Sequence, residues 1–214
     1  MRRLRSGRMQ PPTPPLPKNC ERVALPDADV RLWRGAWTTA EANAVLDALL
    51  HEVQWEQEEI LIFGRRHPVP RLVAWHGDAG TAYTYSGTAH EPRPWTPTLD
   101  AVKQHIEALT CHRFNSVLLN RYRDGRDGMG WHADDEPELG REPAIASVTF
   151  GATRRFQLRH RRLRNAGIAL DLGHGDLLLM SGPTQHHYVH AVPKTTRPIG
   201  ERINLTFRLV HTAG

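Results

Sequence analysis

Asn120-Arg-Tyr122-Arg-Asp-Gly125-Arg-Asp127-Gly-Met-Gly-Trp-His132-Ala-Asp134 begins as a strand and ends in two side chains that bind metal ions. Asn120 and Tyr122 are two residues apart, so on an extended backbone they project to one face. A strand with two inward hydrogen-bonding groups, followed by a ligand pair, is how a site in a barrel mouth is built. Downstream stand His190 and then Arg202-Ile-Asn204-Leu-Thr206-Phe-Arg208. Two imidazoles and one carboxylate can occupy one face of an Fe(II) octahedron, leaving positions for a cosubstrate and oxygen. Two guanidinium groups could hold the carboxylates of a small diacid.

A His-x-Asp pair is weak evidence alone, and the chain has three: His76-Gly-Asp78, His132-Ala-Asp134 and His174-Gly-Asp176. The last lies between two apolar runs and reads as a turn whose polar side chains cap backbone groups. His76-Gly-Asp78 reads as a glycine-containing connection with no polar strand before it. The middle pair is therefore favoured as the ligand pair. For the third ligand, His186, Tyr188 and His190 would share one face of a strand over 186–192, with His187 on the other. His190 is preferred because Ala191-Val192-Pro193 follows it and proline ends the strand. Arg202, Asn204, Thr206 and Arg208 alternate with Ile203, Leu205, Phe207 and Leu209, so one face is polar and the other apolar. Arginine is costly to bury without an anionic partner, which points to a ligand on the polar face.

Around this core the pattern changes. Thr38-x-x-Glu41 resembles a capping box and predicts a helix over about 39–52; a second helix is expected over 97–109. Strand-like pieces at 60–63 and 83–85 lie between them. Beyond residue 112, short segments at 114–122, 144–151, 154–161, 168–172, 176–181, 186–192 and 202–210 read as strands. This is a mainly β chain with flanking helices (α+β), its body a sandwich or barrel with jelly rolls among the options.

Composition sets outer bounds. The 214 residues suit one domain plus a tail. Arg2, Arg3, Arg5, Arg8, Lys18 and Arg22 against Glu21 account for the whole net charge of +5. Gln10-Pro11-Pro12-Thr13-Pro14-Pro15-Leu16-Pro17 follows the first basic cluster, and residues 1–20 are expected to be disordered. Arg154-Arg155 and Arg159-His160-Arg161-Arg162-Leu-Arg164 read either as a phosphate contact or as a solvated hairpin face. Nothing approaches the roughly 20 apolar residues of a membrane span. Two distant cysteines suggest a cytoplasmic, reducing setting.

Taken as a set, these motifs resemble the AlkB family of Fe(II)/2-oxoglutarate dioxygenases, in its nucleic-acid repair branch, over residues 59 to 210. The resemblance implies a double-stranded β-helix (jelly roll) core at about 112–210 within one domain over 21–214, with a base-recognition segment at about 55–95. It implies Fe(II) on His132, Asp134 and His190, and 2-oxoglutarate held by Arg202 and Arg208 with Asn120, Tyr122, Asn204 and Thr206. With O2, such enzymes form succinate and CO2, hydroxylate an N-alkyl carbon, and release an aldehyde as the base is restored. Tyr83, Thr84 and Tyr85 resemble a base pocket, with ordinary core packing as the alternative; Asp135 and Glu136 would meet the exocyclic amine. Ile62-Phe63-Gly64-Arg65-Arg66 looks like a hairpin wedged into duplex, with a buried strand end as the alternative. His76 departs from the usual Tyr-Gly-Asp. The expected partner is alkylated DNA, single- or double-stranded, with RNA a further candidate and the chain a monomer. A dioxygenase acting on protein or lipid, and a non-catalytic nucleic-acid-binding barrel, are the rival readings.

Overall fold

The structure is a computed structural model that describes residues 19–62, 64–81, 83–85 and 88–211. In chain order it contains β1 (Cys20–Val23), β2 (Asp29–Trp33), α1 (Thr39–Glu52), β3 (Glu59–Ile62), β4 (Arg65–Pro68), β5 (Leu72–Gly77), β6 (Tyr83–Tyr85), β7 (Thr88–His90) and α2 (Pro97–Thr110). Then come β8 (Ser116–Tyr122), β9 (Met129–His132), β10 (Ile145–Gly151), β11 (Arg154–His160), β12 (Gly167–Leu172), β13 (Asp176–Ser181), α3 (Thr184–His187), β14 (Tyr188–Val192) and β15 (Arg202–Arg208). The strands form a large sheet in the order β1-β2-β13-β10-β15-β8-β5 and a small one, β12-β11-β14-β9. Two hairpins, β3-β4 and β6-β7, stand apart. This is a jelly-roll arrangement of antiparallel strands.

Period-two alternation assigns each strand's two faces. Ile203, Leu205 and Phe207 of β15 join Val117, Leu119, Ala146, Val148, Leu177 and Leu179 in a core under α1 and α2, which add Leu49, Leu99, Val102 and Ile106. Burying each such side chain contributes roughly 2 kcal/mol. The opposite faces of the same strands place Tyr122, Ile145, Leu178 and Met180 against Phe156, Leu158, Leu172 and Val192 of the small sheet. All seven residues of β15 are buried, so its polar face is not solvated but lies inside the protein.

Local chemistry fixes the helix ends. Thr38 accepts the Glu41 N–H at 3.3 Å while the Glu41 carboxylate accepts the Thr38 N–H at 2.8 Å, the reciprocal bonding of a capping box. On α2, Thr96 caps and Pro97 follows at the first helical position.

Two glycines bring strands close together. Gly151 has φ +91° and pairs with Arg202, and a Cβ there would lie 2.4 Å from the Glu201 carbonyl oxygen. Gly125 lets the 195 loop dock: its carbonyl accepts the Thr195 N–H at 2.8 Å, and a Cβ would sit 2.5 Å from the Thr195 oxygen. Both contacts leave room only for hydrogen.

Several sequence expectations need correction. The strand expected from 186 begins at Tyr188, because Thr184–His187 form a helical turn. His76 lies within β5, not in a connection, and is buried. Cys20, read as part of the tail, opens β1, and β1, β2, β5, β7 and β9 were not anticipated. Residues 1–18 of the expected tail lie outside the described residues. No helix among the described residues is long and apolar enough to cross a membrane.

Candidate metal and diacid centre

Between the two sheets lies a small cavity of about 30 Å³. Its lining includes Asn120, Tyr122, His132, Asp134, His190, Asn204, Thr206 and Arg208. Two distant segments supply one cluster, in which ligand atoms of His132, Asp134 and His190 all lie within 4.8 Å of one another. Cross-strand pairing of His132 with His190 makes this possible, because it sets the last residue of β9 against the middle of β14. Their ring centroids are 4.2 Å apart.

The cluster fits a metal ion on three counts. His132 Nε2 is 3.9 Å from Asp134 Oδ1, and His190 Nε2 is 3.9 Å from Asp134 Oδ2. That is too long for hydrogen bonds, yet suits ligands that each stand about 2.1 Å from a shared ion. Next, His132 Nδ1 lies 2.9 Å from the Gly130 carbonyl. A carbonyl only accepts, so the proton is on Nδ1 and the Nε2 lone pair is free for metal. Last, burial, reinforced by His132, brings the His190 pKa down to about 3, so no proton competes there at neutral pH. Burial pushes the Asp134 carboxyl up, but Arg208, His190 and His132 outweigh it and hold it at about 2.

A second group of potential ligands, Asp27, His160 and His187, does not pass the same test. His160 Nδ1 accepts the backbone N–H groups of Arg162 at 3.0 Å and Leu163 at 2.9 Å. Its proton is therefore on Nε2, 3.4 Å from the Asp27 carboxylate. That nitrogen offers a donor where a metal needs a lone pair.

Beside the triad is a polar network on β15. Arg208 Nη2 donates to Asp134 Oδ1 at 2.9 Å, which ties the cationic strand to the carboxylate. Asn204 Oδ1 accepts from Arg202 Nη2 at 2.7 Å and from Ser147 Oγ at 3.0 Å, and its amide donates to Thr206 Oγ1 at 2.9 Å. Arg202 also donates to Thr149 Oγ1 at 2.8 Å and stacks over the Tyr122 ring, 5.1 Å from its centroid. Burial draws its pKa down to about 10, so it remains charged at neutral pH. Arg202 Nε and Nη1 have no hydrogen-bond partner, and no carboxylate forms an ion pair with it among the described residues. Such a buried cation calls for an anion.

A scan for known families matches residues 29–208 to the 2OG-Fe(II) oxygenase superfamily. The chain is 42% identical over 181 residues to "DNA oxidative demethylase ALKBH2" of Homo sapiens, a match covering 80% of this chain and 69% of that protein. The chain belongs to the AlkB family of these oxygenases. It is also 42% identical over 191 residues to "Alpha-ketoglutarate-dependent dioxygenase alkB homolog 3" of Rattus norvegicus, over 85% of this chain and 64% of the relative. The chain thus spans about two thirds of the length of these relatives. In fold, the solved structure of OsALKBH1 superposes with a TM-score of 0.64 at 13% identity, covering 89% of this chain and 99% of that one.

In this AlkB-family chain the remaining expected residues are dispersed. Asp135 is exposed and ion-paired to Arg161 at 2.6 Å, while the Glu136 carboxylate has one buried oxygen, Oε2, with no hydrogen-bond partner. Gly64, at φ +77°, and Arg65 sit at the tip of the β3-β4 hairpin, where Ile62 pairs with Arg65; Phe63 lies outside the described residues. Tyr83–Tyr85 form β6, paired with β7. Of the decoy histidines, His186 faces the Arg141 carbonyl and His187 stacks on His160. His174 Nδ1 accepts the Gly151 N–H at 2.9 Å and Asp176 accepts the Gly35 and Gly173 N–H groups, which is backbone capping in a turn.

Sequence reasoning missed the residues behind the ligands. Gln185 is buried in α3; its Oε1 accepts the Asp134 N–H at 3.0 Å and its amide faces Met180 Sδ at 3.7 Å. Arg71 donates to Asn120 Oδ1 at 2.7 Å. No local pattern announces contacts 51 and 49 residues away in sequence. Gln185→Leu should therefore weaken Mn(II) binding roughly 10–100-fold, the usual effect of losing a group that orients a ligand. Titration of the purified chain checks this, and unchanged affinity would show that Asp134 needs no such support.

Proposed function

We propose that this chain is an oxidative demethylase of N-alkylated nucleobases in DNA, and that RNA is a secondary substrate. The observation that carries it is a buried His132–Asp134–His190 cluster whose carboxylate is bonded to Arg208, at one end of a polar strand that also buries Arg202. Family membership supports the chemistry, and the relatives named DNA oxidative demethylase support the substrate. His132, Asp134 and His190 would hold Fe(II), which with O2 and 2-oxoglutarate supplies hydroxylation of an alkyl carbon. Arg202 and Arg208 would take the carboxylates of 2-oxoglutarate, with Asn204 and Thr206 spacing them and Tyr122 covering Arg202.

The protein's own work is to orient, exclude water and recognise. Asn120, fixed by Arg71, presents its amide to the cavity. Phe156, Met129, Met180 and Val192 supply the apolar lining that keeps water out. Glu136 Oε2 is a buried acceptor awaiting a donor such as an exocyclic amine, and Arg161 holds Asp135 beside it. Tyr83, Thr84 and Tyr85 would complete the base pocket. The exposed β3-β4 hairpin, with Leu61 72% exposed and Arg65 and Arg66 at its rim, suits filling a gap left by an extruded base.

Incubation with Fe(II), 2-oxoglutarate and oligonucleotides bearing 1-methyladenine or 3-methylcytosine tests the reading. Succinate and formaldehyde should appear in step with repaired base. Succinate release stimulated by proteins or lipids, and by no alkylated strand, would replace this reading with a different substrate class.

A further inference from the structure

β9 carries His132 inward to the cavity, and the residue before it, Trp131, outward. It is also the edge strand of the small sheet. Within the triad the His132 side chain is 28% exposed, against 4% for Asp134 and 6% for His190. His132, at the end of β9, is therefore the most solvent-exposed member of the triad, and Trp131 is its neighbour in the chain.

Trp131 is 43% exposed, unusual for so large an apolar side chain, and the Arg159 guanidinium lies 4.3 Å over its ring. Arg159 belongs to a row on the outer face of β11. Arg155, Gln157 and Arg159 alternate outward there while Phe156 and Leu158 point to the core. Gln157 and Arg155 line an open groove that continues to Lys194 and Arg197. The one acid in this groove, Asp171, pairs with Arg155 at 3.1 Å, with both partners more than half exposed. Exposed pairs of that kind are worth little, and a phosphate can displace the carboxylate. A purely structural role accounts for parts of this, since arginines are ordinary on a solvated sheet face. It does not account for an exposed tryptophan, stacked by a cation, next in the chain to the exposed ligand His132.

We infer that the outer face of the small sheet, from Trp131 through Arg159 and Gln157 to Arg155, Lys194 and Arg197, carries single-stranded nucleic acid leaving the active site. A base would stack on the Trp131–Arg159 pair while the cations follow the phosphates, the pairing of aromatic ring and positive groove that unpaired strands use. The inference rests on the proposed nucleic-acid substrate and adds to it a second, sequence-independent footing outside the cavity.

The test compares a strand of about ten nucleotides with a trinucleotide carrying the same lesion, each bound to anaerobic iron-loaded enzyme with 2-oxoglutarate. Trp131→Ala should weaken binding of the longer strand on the order of tenfold, the usual worth of one stacked base, and leave the trinucleotide unaffected. Arg159→Glu and Lys194→Glu should do the same and flatten the salt dependence, by about 0.7 in log–log slope for each phosphate no longer neutralised. Because these side chains are exposed, melting temperatures should match the wild type. Long-strand affinity that is unchanged in all three variants overturns the inference. So does an equal loss for long strand and trinucleotide, which would place Trp131 within the cavity's own binding. If the strand is bound as described but no alkylated oligonucleotide is turned over, the surface stands and the proposed reaction fails.

Discussion

Asp134→Asn should eliminate alkylation-dependent succinate formation, the largest effect expected of any single change in this protein. The carboxylate stands 3.9 Å from both imidazoles and 2.9 Å from Arg208, so one oxygen pair would serve the metal and the cationic strand together. An amide keeps the shape but loses the negative charge that Asp134 retains down to about pH 2. Divalent-ion affinity should collapse with activity, as Mn(II) titration would show. Asp134→Ala should also unfold more easily, since breaking a buried pair by removing one partner typically costs about 3–5 kcal/mol. Turnover near wild type in the asparagine variant would remove Asp134 from the ligand set.

Arg202→Met should move two quantities in opposite directions. The KM for 2-oxoglutarate should rise roughly 10–100-fold, the worth of a charge-assisted hydrogen bond in a buried site. Stability of the ligand-free chain should hold or improve, because an apolar side chain replaces a buried cation with no carboxylate partner among the described residues. Thermal melting with and without 2-oxoglutarate separates the two effects. The wild type should gain stability from the diacid and the variant should not. A lower melting temperature with an unchanged KM would instead make Arg202 a packing residue held by Thr149 and Asn204.

These two residues stand out in the sequence for a simple reason. Period-two alternation places Arg202, Asn204, Thr206 and Arg208 on one face whatever the rest of the chain does, and burial of the whole strand makes that face interior. The His132-Ala-Asp134 pair was distinguishable from its two decoys by its setting: a polar-faced strand preceded it, while glycine-flanked His174 looked like a turn and caps one. The extent of β14 was overestimated because His186 and His187 also fit an alternating pattern. A four-residue helix after Pro183 has too little sequence to announce itself. For β2, Val30 and Leu32 alternating with Arg31 carried the signal, but the segment is only five residues long and follows a proline-rich stretch. Gln185 and Arg71 left no signal at all, since their partners are joined to them only by the finished fold. The tautomers of His132 and His160 likewise depend on backbone groups that only the folded chain brings near.

The fully buried strand β15 of the large sheet has a further implication for how this protein tolerates change. Along β15, substitutions at 203, 205 and 207 would strike the packing beneath the helices, while those at 202, 204, 206 and 208 would strike the cosubstrate. Loss of folding and loss of chemistry should therefore interleave residue by residue on a single stretch of backbone. A scan across those seven positions would read out as two alternating phenotypes, with no silent site between them.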